Sequence, residues 1–240
     1  MMMTFVVSSR NDRDKLKLFA GWKPTPVPDE DCFASIKAGI DALPPGAKMF
    51  LNSGTLCHTF SPYGYRPSNS SSHYRYAGEF YGQGETPANL ELVARFFEKY
   101  PSYADKAFLS VKGGFKLHSL QPDGSPENLR RSVDYILKKL RGTKSLDLFE
   151  CARYDSTYPL EDTLKVLQGF IREGKFKYIG LSEVSAATVR RAYNAAPEVA
   201  AVEIEVSPWS YTQETKDGEL VVQTWYGTSN DVRYSHRDLR

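Results

Sequence analysis

From Asp29 onward the chain alternates between two hydrophobic periods, and this alternation restricts the folds open to it. Asp29 to Leu43 sets Phe33, Ile36, Ala38, Ile40 and Leu43 at mostly helical spacing, with acids in the first turn. Met49-Phe50-Leu51-Asn52 is a short apolar run that reads as a buried strand. A helix over 87–100 follows, with Leu90, Val93, Phe96 and Phe97 on one face, and then a strand over 106–112. Ser125 stands where a cap belongs, with Pro126 at the first helical position. That helix carries Leu129, Val133, Ile136, Leu137 and Leu140. Next come a strand over 146–149, a helix over 159–174 closed by Gly174, a strand over 178–182, a helix capped by Ser185, and a strand over 199–206.

Strict alternation predicts a parallel sheet with crossover helices. A doubly wound sheet and a closed eightfold barrel both satisfy it. No GxGxxG follows the first strand, which weighs against the dinucleotide-binding fold. In a barrel, functional residues stand at the C-terminal ends of strands, where Asn52, Lys112 and Ser182 all fall. The expectation is therefore an α/β chain of the (β/α)8 TIM-barrel type. Five strands are legible, against the eight and roughly 250 residues of a whole barrel. The barrel is expected to be incomplete, within a single domain over 1–240.

Two stretches break the pattern. Thr55 to Gly78 holds five serines, four tyrosines, two prolines and two histidines without a helical or alternating period. So long a structureless loop is uncommon in a compact domain, and 55–78 is expected to be an insertion. Residues 221–240 close on a polar, charged sequence and form a divergent tail.

A net charge of +2 on 240 residues gives no reason to expect nucleic acid as a partner. No apolar run approaches the ~20 residues of a membrane span, and Met1-Met2-Met3-Thr4-Phe5-Val6-Val7 soon meets Arg10, Asp12, Arg13 and Asp14, unlike a signal peptide. Cys32, Cys57 and Cys151 are scattered and odd in number, which fits a reducing compartment; the expected location is cytoplasmic. His58, His73, His118 and His236 show no metal-ligand spacing, and no metal is expected.

One pair of residues suggests chemistry. Tyr81, in Glu79-Phe80-Tyr81-Gly82, lies at a turn after one candidate strand, and Lys112 ends the next. A free phenol has a pKa near ~10. A neighbouring ammonium stabilises the phenolate and makes the group a better acid near neutral pH. Taken alone, Tyr81 also reads as a packed aromatic, Lys112 as a solvated strand end, Asn52 as a turn residue, and Ser182-Glu183 as a capping segment. Glu203 and Glu205 alternate with Val202, Ile204 and Val206 and can face a polar barrel mouth or plain solvent. Cys151 reads as a small buried hydrophobe rather than a reactive thiol.

Asn52-Ser53-Gly54, Glu79-Phe80-Tyr81-Gly82, Ser110-Val111-Lys112-Gly113-Gly114 and Gly180-Leu181-Ser182-Glu183-Val184-Ser185, in this order, resemble the aldo-keto reductases. Trp22-Lys23-Pro24-Thr25-Pro26 and Leu148-Phe149-Glu150-Cys151-Ala152-Arg153-Tyr154-Asp155 resemble the fungal pyridoxal reductases within that family. The resemblance covers roughly 20–54 and 79–215. It implies a (β/α)8 barrel that uses NADPH to reduce a small-molecule carbonyl, here pyridoxal to pyridoxine. It also implies Tyr81 as proton donor and Lys112 as the lysine that tunes it. Asn52 falls at the family's aspartate position once 55–78 is removed, and an amide carries no charge to hold the lysine. The family's histidine position falls at Ala152. Ser182, Glu183 and Glu203 fall at the nicotinamide carboxamide contacts, where glutamates replace the usual amides at 183 and 203. An ionised glutamate only accepts hydrogen bonds. The family's last third, which holds the rest of the cofactor, has no counterpart here. Translated non-coding sequence would explain both 55–78 and the tail, and the transcript tests that.

Two other functions stand beside reduction. One is a catalytically inactive, truncated chain that serves as an interaction partner or reflects a faulty gene model. The other is a barrel lyase or isomerase using Lys112 as a Schiff-base nucleophile.

Overall fold

A computed structural model describes residues 3–4, 28–53, 79, 86–116 and 121–203. Six parallel strands form one sheet in chain order: β1 (Met3–Thr4), β2 (Met49–Ser53), β3 (Ala107–Gly113), β4 (Leu148–Cys151), β5 (Tyr178–Ser182) and β6 (Val199–Glu203). Five helices alternate with them: α1 (Asp29–Asp41), α2 (Ala88–Lys99), α3 (Pro126–Leu140), α4 (Leu160–Arg172) and α5 (Ala186–Ala195). This is the (β/α)-barrel order, built as a curled partial barrel among the described residues. The sheet has one strand more than the five read from sequence. The addition is the two-residue β1, which pairs with β2 through Met3–Met49 and Thr4–Phe50.

The element ends follow from local chemistry. The Ser125 hydroxyl accepts from the Asn128 amide at the start of α3, and Ser185 accepts from Thr188 at the start of α5, as N-caps do. Gly174, at φ 73°, ends α4: its amide donates to the Ile171 carbonyl and the Lys175 amide to that of Phe170. These are the two bonds of a glycine-terminated Schellman motif.

One strand differs from its expected bounds. Residues 146–149 were expected as a strand, but β4 begins at Leu148 and reaches Cys151. Asp147, just before β4, still bonds both neighbouring strands through its backbone: its amide donates to the Leu109 carbonyl at 3.1 Å and its carbonyl accepts from the Tyr178 amide at 3.0 Å. Its carboxylate, however, accepts from the Leu109 amide at 2.9 Å and pairs with the Lys144 ammonium at 2.5 Å. A side chain thus stands where the next ladder bond would need a backbone carbonyl.

The register sorts side chains by face. Leu109, Val111, Phe149, Ile179 and Leu181 are buried on the outer face, in one core with Phe96, Leu129, Ile136, Leu164 and Leu167 of the helices. The concave face begins with an aromatic layer: Phe50 stacks on Phe108 at 5.4 Å between ring centres, and Phe108 meets Tyr178 at 5.8 Å. Nearer the C-terminal strand ends the same face turns polar, with Asn52 opposite Ser110, Lys112 opposite Glu150, and Ser182 opposite Glu203.

The curvature has a direct measure. In a flat sheet β2 and β6 would lie about 19 Å apart, at four spacings of ~4.8 Å. Instead the Asn52 amide on β2 hydrogen-bonds the Glu203 carboxylate on β6. The sheet is rolled far enough for side chains four strands apart to meet across its hollow.

Candidate functional site

The concave face gathers four polar side chains at the C-terminal strand ends, the end at which barrels place their chemistry. Lys112 lies at their centre and is 1% exposed. A lysine is almost never this buried unless it is paired. Its Nζ lies 2.5 Å from Glu203 Oε1 and 3.4 Å from Glu150 Oε1. The other Glu203 oxygen, Oε2, accepts from Asn52 Nδ2. Glu203 therefore bridges the lysine and the asparagine with both oxygens.

Glu150 shares the sheet face with Lys112 through their direct register, and its own partner on β5 is Gly180. That glycine is required. A Cβ there would sit 3.0 Å from both Glu150 Cβ and Cγ and 2.6 Å from Leu148 Cδ2. Burial lifts the Glu150 carboxyl to about 8; the Lys112 ammonium opposes the rise and the Glu203 charge adds to it. Burial thus favours the protonated form of Glu150 at neutral pH. Glu150 Oε1 has the ammonium nearby but no aligned hydrogen bond, and Asn52 Oδ1 and Ser110 Oγ have no partner among the described residues.

Ser182 ends β5, buried, and its hydroxyl accepts from Arg153 Nη1 at 3.0 Å. The same Arg153 nitrogen donates to the Ala152 carbonyl at 2.8 Å. Glu183 follows with φ 53°, a left-handed conformation that strains a side chain of its type, and its amide donates to the Glu203 carbonyl at 2.9 Å. The family's histidine position, Ala152, is buried against Phe115 and carries no imidazole; the guanidinium of Arg153 stands next to it in the chain. The Cys151 thiol is pushed up to about 12, mainly by burial, so it is no nucleophile near neutral pH.

Tyr81 lies outside the described residues, as do 55–78, Glu205 and 221–240. Its near neighbour Glu79 is described, fully buried and clamped by Arg131. The guanidinium donates to both carboxylate oxygens at 3.0 and 3.1 Å, to the Phe115 carbonyl at 2.9 Å, and to Asn128 Oδ1 at 2.9 Å. That bidentate pair ties the segment two residues before Tyr81 to α3.

Of the residues expected at the site, the structure brings Asn52, Lys112 and Glu203 into direct contact and sets Ser182 and Glu183 at the adjoining strand end. Sequence reasoning passed over Glu150 and Arg153. For Glu150 the signal was present: a single acid between Phe149 and Cys151, inside an otherwise apolar strand.

A rolled parallel sheet with a buried lysine–carboxylate cluster at its C-terminal rim defines a barrel protein of the (β/α) class with a polar site at the mouth. The Aldo/keto reductase family matches residues 55–223, more than half of the sequence. The chain belongs to that family. It is 50% identical over 152 residues to probable pyridoxal reductase 2 of Schizosaccharomyces pombe, covering 63% of this chain and 45% of that protein. It is 35% identical over 138 residues to the aldo-keto reductase yakc (NADP(+)) of the same yeast, covering 56% and 39%. The chain thus spans about half the length of the curated relatives it matches. A thermostable aldo-keto reductase solved with the inhibitor epalrestat shares the fold at a TM-score of 0.56 and 20% identity, over 85% of this chain and 61% of that one. Among the described residues no helix is long and apolar enough to cross a membrane.

Proposed function

We propose that this chain carries the site of an NADPH-dependent reductase that converts an aldehyde or ketone of pyridoxal type to the alcohol. The observation that carries the reading is the buried Lys112 ammonium at the strand ends, held by carboxylates on the hollow side of the sheet. Family membership supports the reaction class. The yeast relatives named for pyridoxal and for NADP(+) support the substrate and the cofactor.

The residues present fit a nicotinamide carboxamide in part. The Ser182 hydroxyl accepts from Arg153 and keeps its own proton to donate to an amide oxygen, while a Glu183 carboxylate accepts from an amide nitrogen. Glu203 has both oxygens engaged by Lys112 and Asn52. NADPH, when bound, supplies a hydride to the carbonyl carbon. The protein's part is acid catalysis and positioning. In this reading Tyr81 gives its phenolic proton to the carbonyl oxygen as negative charge develops there, and Lys112 stabilises the phenolate left behind. The burial of Lys112 keeps its field from being screened by water.

Titration with NADPH while following tryptophan fluorescence, then loss of nicotinamide absorbance on adding pyridoxal, tests this. Quenching and turnover together support the reductase. A chain that melts cooperatively but shows neither is the non-catalytic alternative, and borohydride trapping of substrate on Lys112 would replace reduction by Schiff-base chemistry.

A further inference from the structure

We propose that Glu203 is the acidic partner of Lys112 and that Asn52, from the far side of the hollow, orients its carboxylate, so that exchanging the carboxylate and the amide between positions 52 and 203 would keep the lysine paired. Glu203 gives one oxygen to the Lys112 ammonium and the other to the Asn52 amide, which makes the three side chains one arrangement.

The geometry is specific. Lys112 Nζ reaches Glu203 Oε1 at 2.5 Å, shorter than its 3.4 Å approach to Glu150. Asn52 Nδ2 donates to the second oxygen of the same carboxylate, a bond that an aspartate at 52 has no proton to make. An aspartate there would set a third carboxyl group beside one ammonium. Among the described residues, the ionisable groups facing Lys112 are Glu150 from β4 and Glu203 from β6, with Arg153 following β4; β2 contributes the uncharged Asn52 and β5 the uncharged Ser182. Of the two carboxyl groups, Glu203 makes the closer contact with the ammonium, and burial favours the protonated form of Glu150.

Two consequences follow for this chain. Glu203 acts as a positioning residue that holds Lys112, and its saturated oxygens remove it from contact with a carboxamide, leaving Ser182 and Glu183 for that task. Asn52 acts through Glu203 and orients its carboxylate. The inference rests on the reductase reading only for its catalytic consequence.

Thermal melting of four variants at neutral pH, each made and compared in a Glu150→Gln background so that Glu150 cannot take over the lysine, tests the exchange without requiring turnover. Glu203→Gln is expected to lower the midpoint by about 5–10 °C, because it leaves a buried ammonium without its ionised partner. Asn52→Asp alone lowers it too, by crowding carboxylates. Asn52→Asp/Glu203→Gln restores the charge from the other strand and recovers at least half of the Glu203→Gln loss. Asn52→Leu/Glu203→Gln, which restores no charge, recovers nothing. If Glu203→Gln does not fold, folding of Asn52→Asp/Glu203→Gln supports the exchange and its failure to fold overturns it. An unchanged midpoint in Glu203→Gln, additive losses in Asn52→Asp/Glu203→Gln, or equal rescue by leucine also overturns it. A failure of NADPH binding or pyridoxal turnover in the parent chain, by contrast, bears on the reductase reading alone.

Discussion

Glu150→Gln is expected to stabilise the protein, and to do so increasingly as the pH rises from about 4.5 to about 8. Glu150 is 3% exposed, and its carboxyl is raised from 4.5 to about 8, chiefly by burial. A carboxyl raised on folding binds its proton more tightly in the native state than in the unfolded one. Below about 4.5 both states are protonated and the group is neutral to stability. Above that pH the unfolded state ionises while the native state does not, so stability falls until the native carboxyl also ionises near 8. At pH 7 about 2.5 units of that window have been crossed, worth roughly 3 kcal/mol at 1.36 kcal/mol per unit. Glutamine keeps the shape and does not titrate, so it escapes this loss. Its midpoint should exceed the parent's by up to about 6–12 °C at pH 7, at the 2–4 °C per kcal/mol usual for a chain of this size, and match it at pH 4.5. Thermal melts at pH 4.5, 7 and 8.5 measure the difference. A variant less stable than the parent at pH 8.5, or a gap indifferent to pH, would show that Glu150 is ionised and paired with Lys112, and would refute the argument.

Tyr81→Phe, made in a version extended to the length of its relatives, should abolish reduction of pyridoxal while leaving NADPH fluorescence quenching intact; retained turnover would remove the phenol from the mechanism. Arg131→Met removes the charged partner of the fully buried Glu79 carboxylate, leaving it the Ser132 hydroxyl and the Gly114 amide, and should cost about 3 kcal/mol, the low end for a buried pair because the arginine side chain is 28% exposed. Equal chemical-denaturation midpoints for parent and variant would show that the clamp contributes nothing. Glu183→Gly should relieve the left-handed backbone at φ 53° and stabilise the chain by about 1 kcal/mol, checked by the same melts; a loss instead would mean that the glutamate side chain contributes more than its strain costs.

Much of the architecture was legible before any coordinates. The helices over 29–43, 87–100 and 159–174 and the strands over 49–52, 106–112 and 178–182 appear within a residue or two of where periodicity set them. Ser125, Ser185 and Gly174 end helices as their chemistry requires. These signals are local, since a cap or an amphipathic face is written within a few residues. The exceptions have tertiary causes. β4 starts late because Asp147 is held by the Leu109 amide 38 residues away, and β1 exists only by pairing with β2.

The candidate site divides in the same way. Strand-end position singled out Asn52, Lys112 and Ser182, because polar residues at the ends of apolar strands are visible in any one strand, and the family resemblance added Glu183 and Glu203. It could not say which of them touch. Asn52 and Glu203 are 151 residues apart, and Lys112 and Glu203 are 91 apart. They meet only because the sheet rolls and carries β6 back toward β2 and β3. Curvature is a property of all the strands together, and no local period records it. Sequence therefore determined what each strand end offers, including that position 52 has no charge to give; the rolling of the sheet decided that the glutamate ending β6 is the one that reaches the lysine.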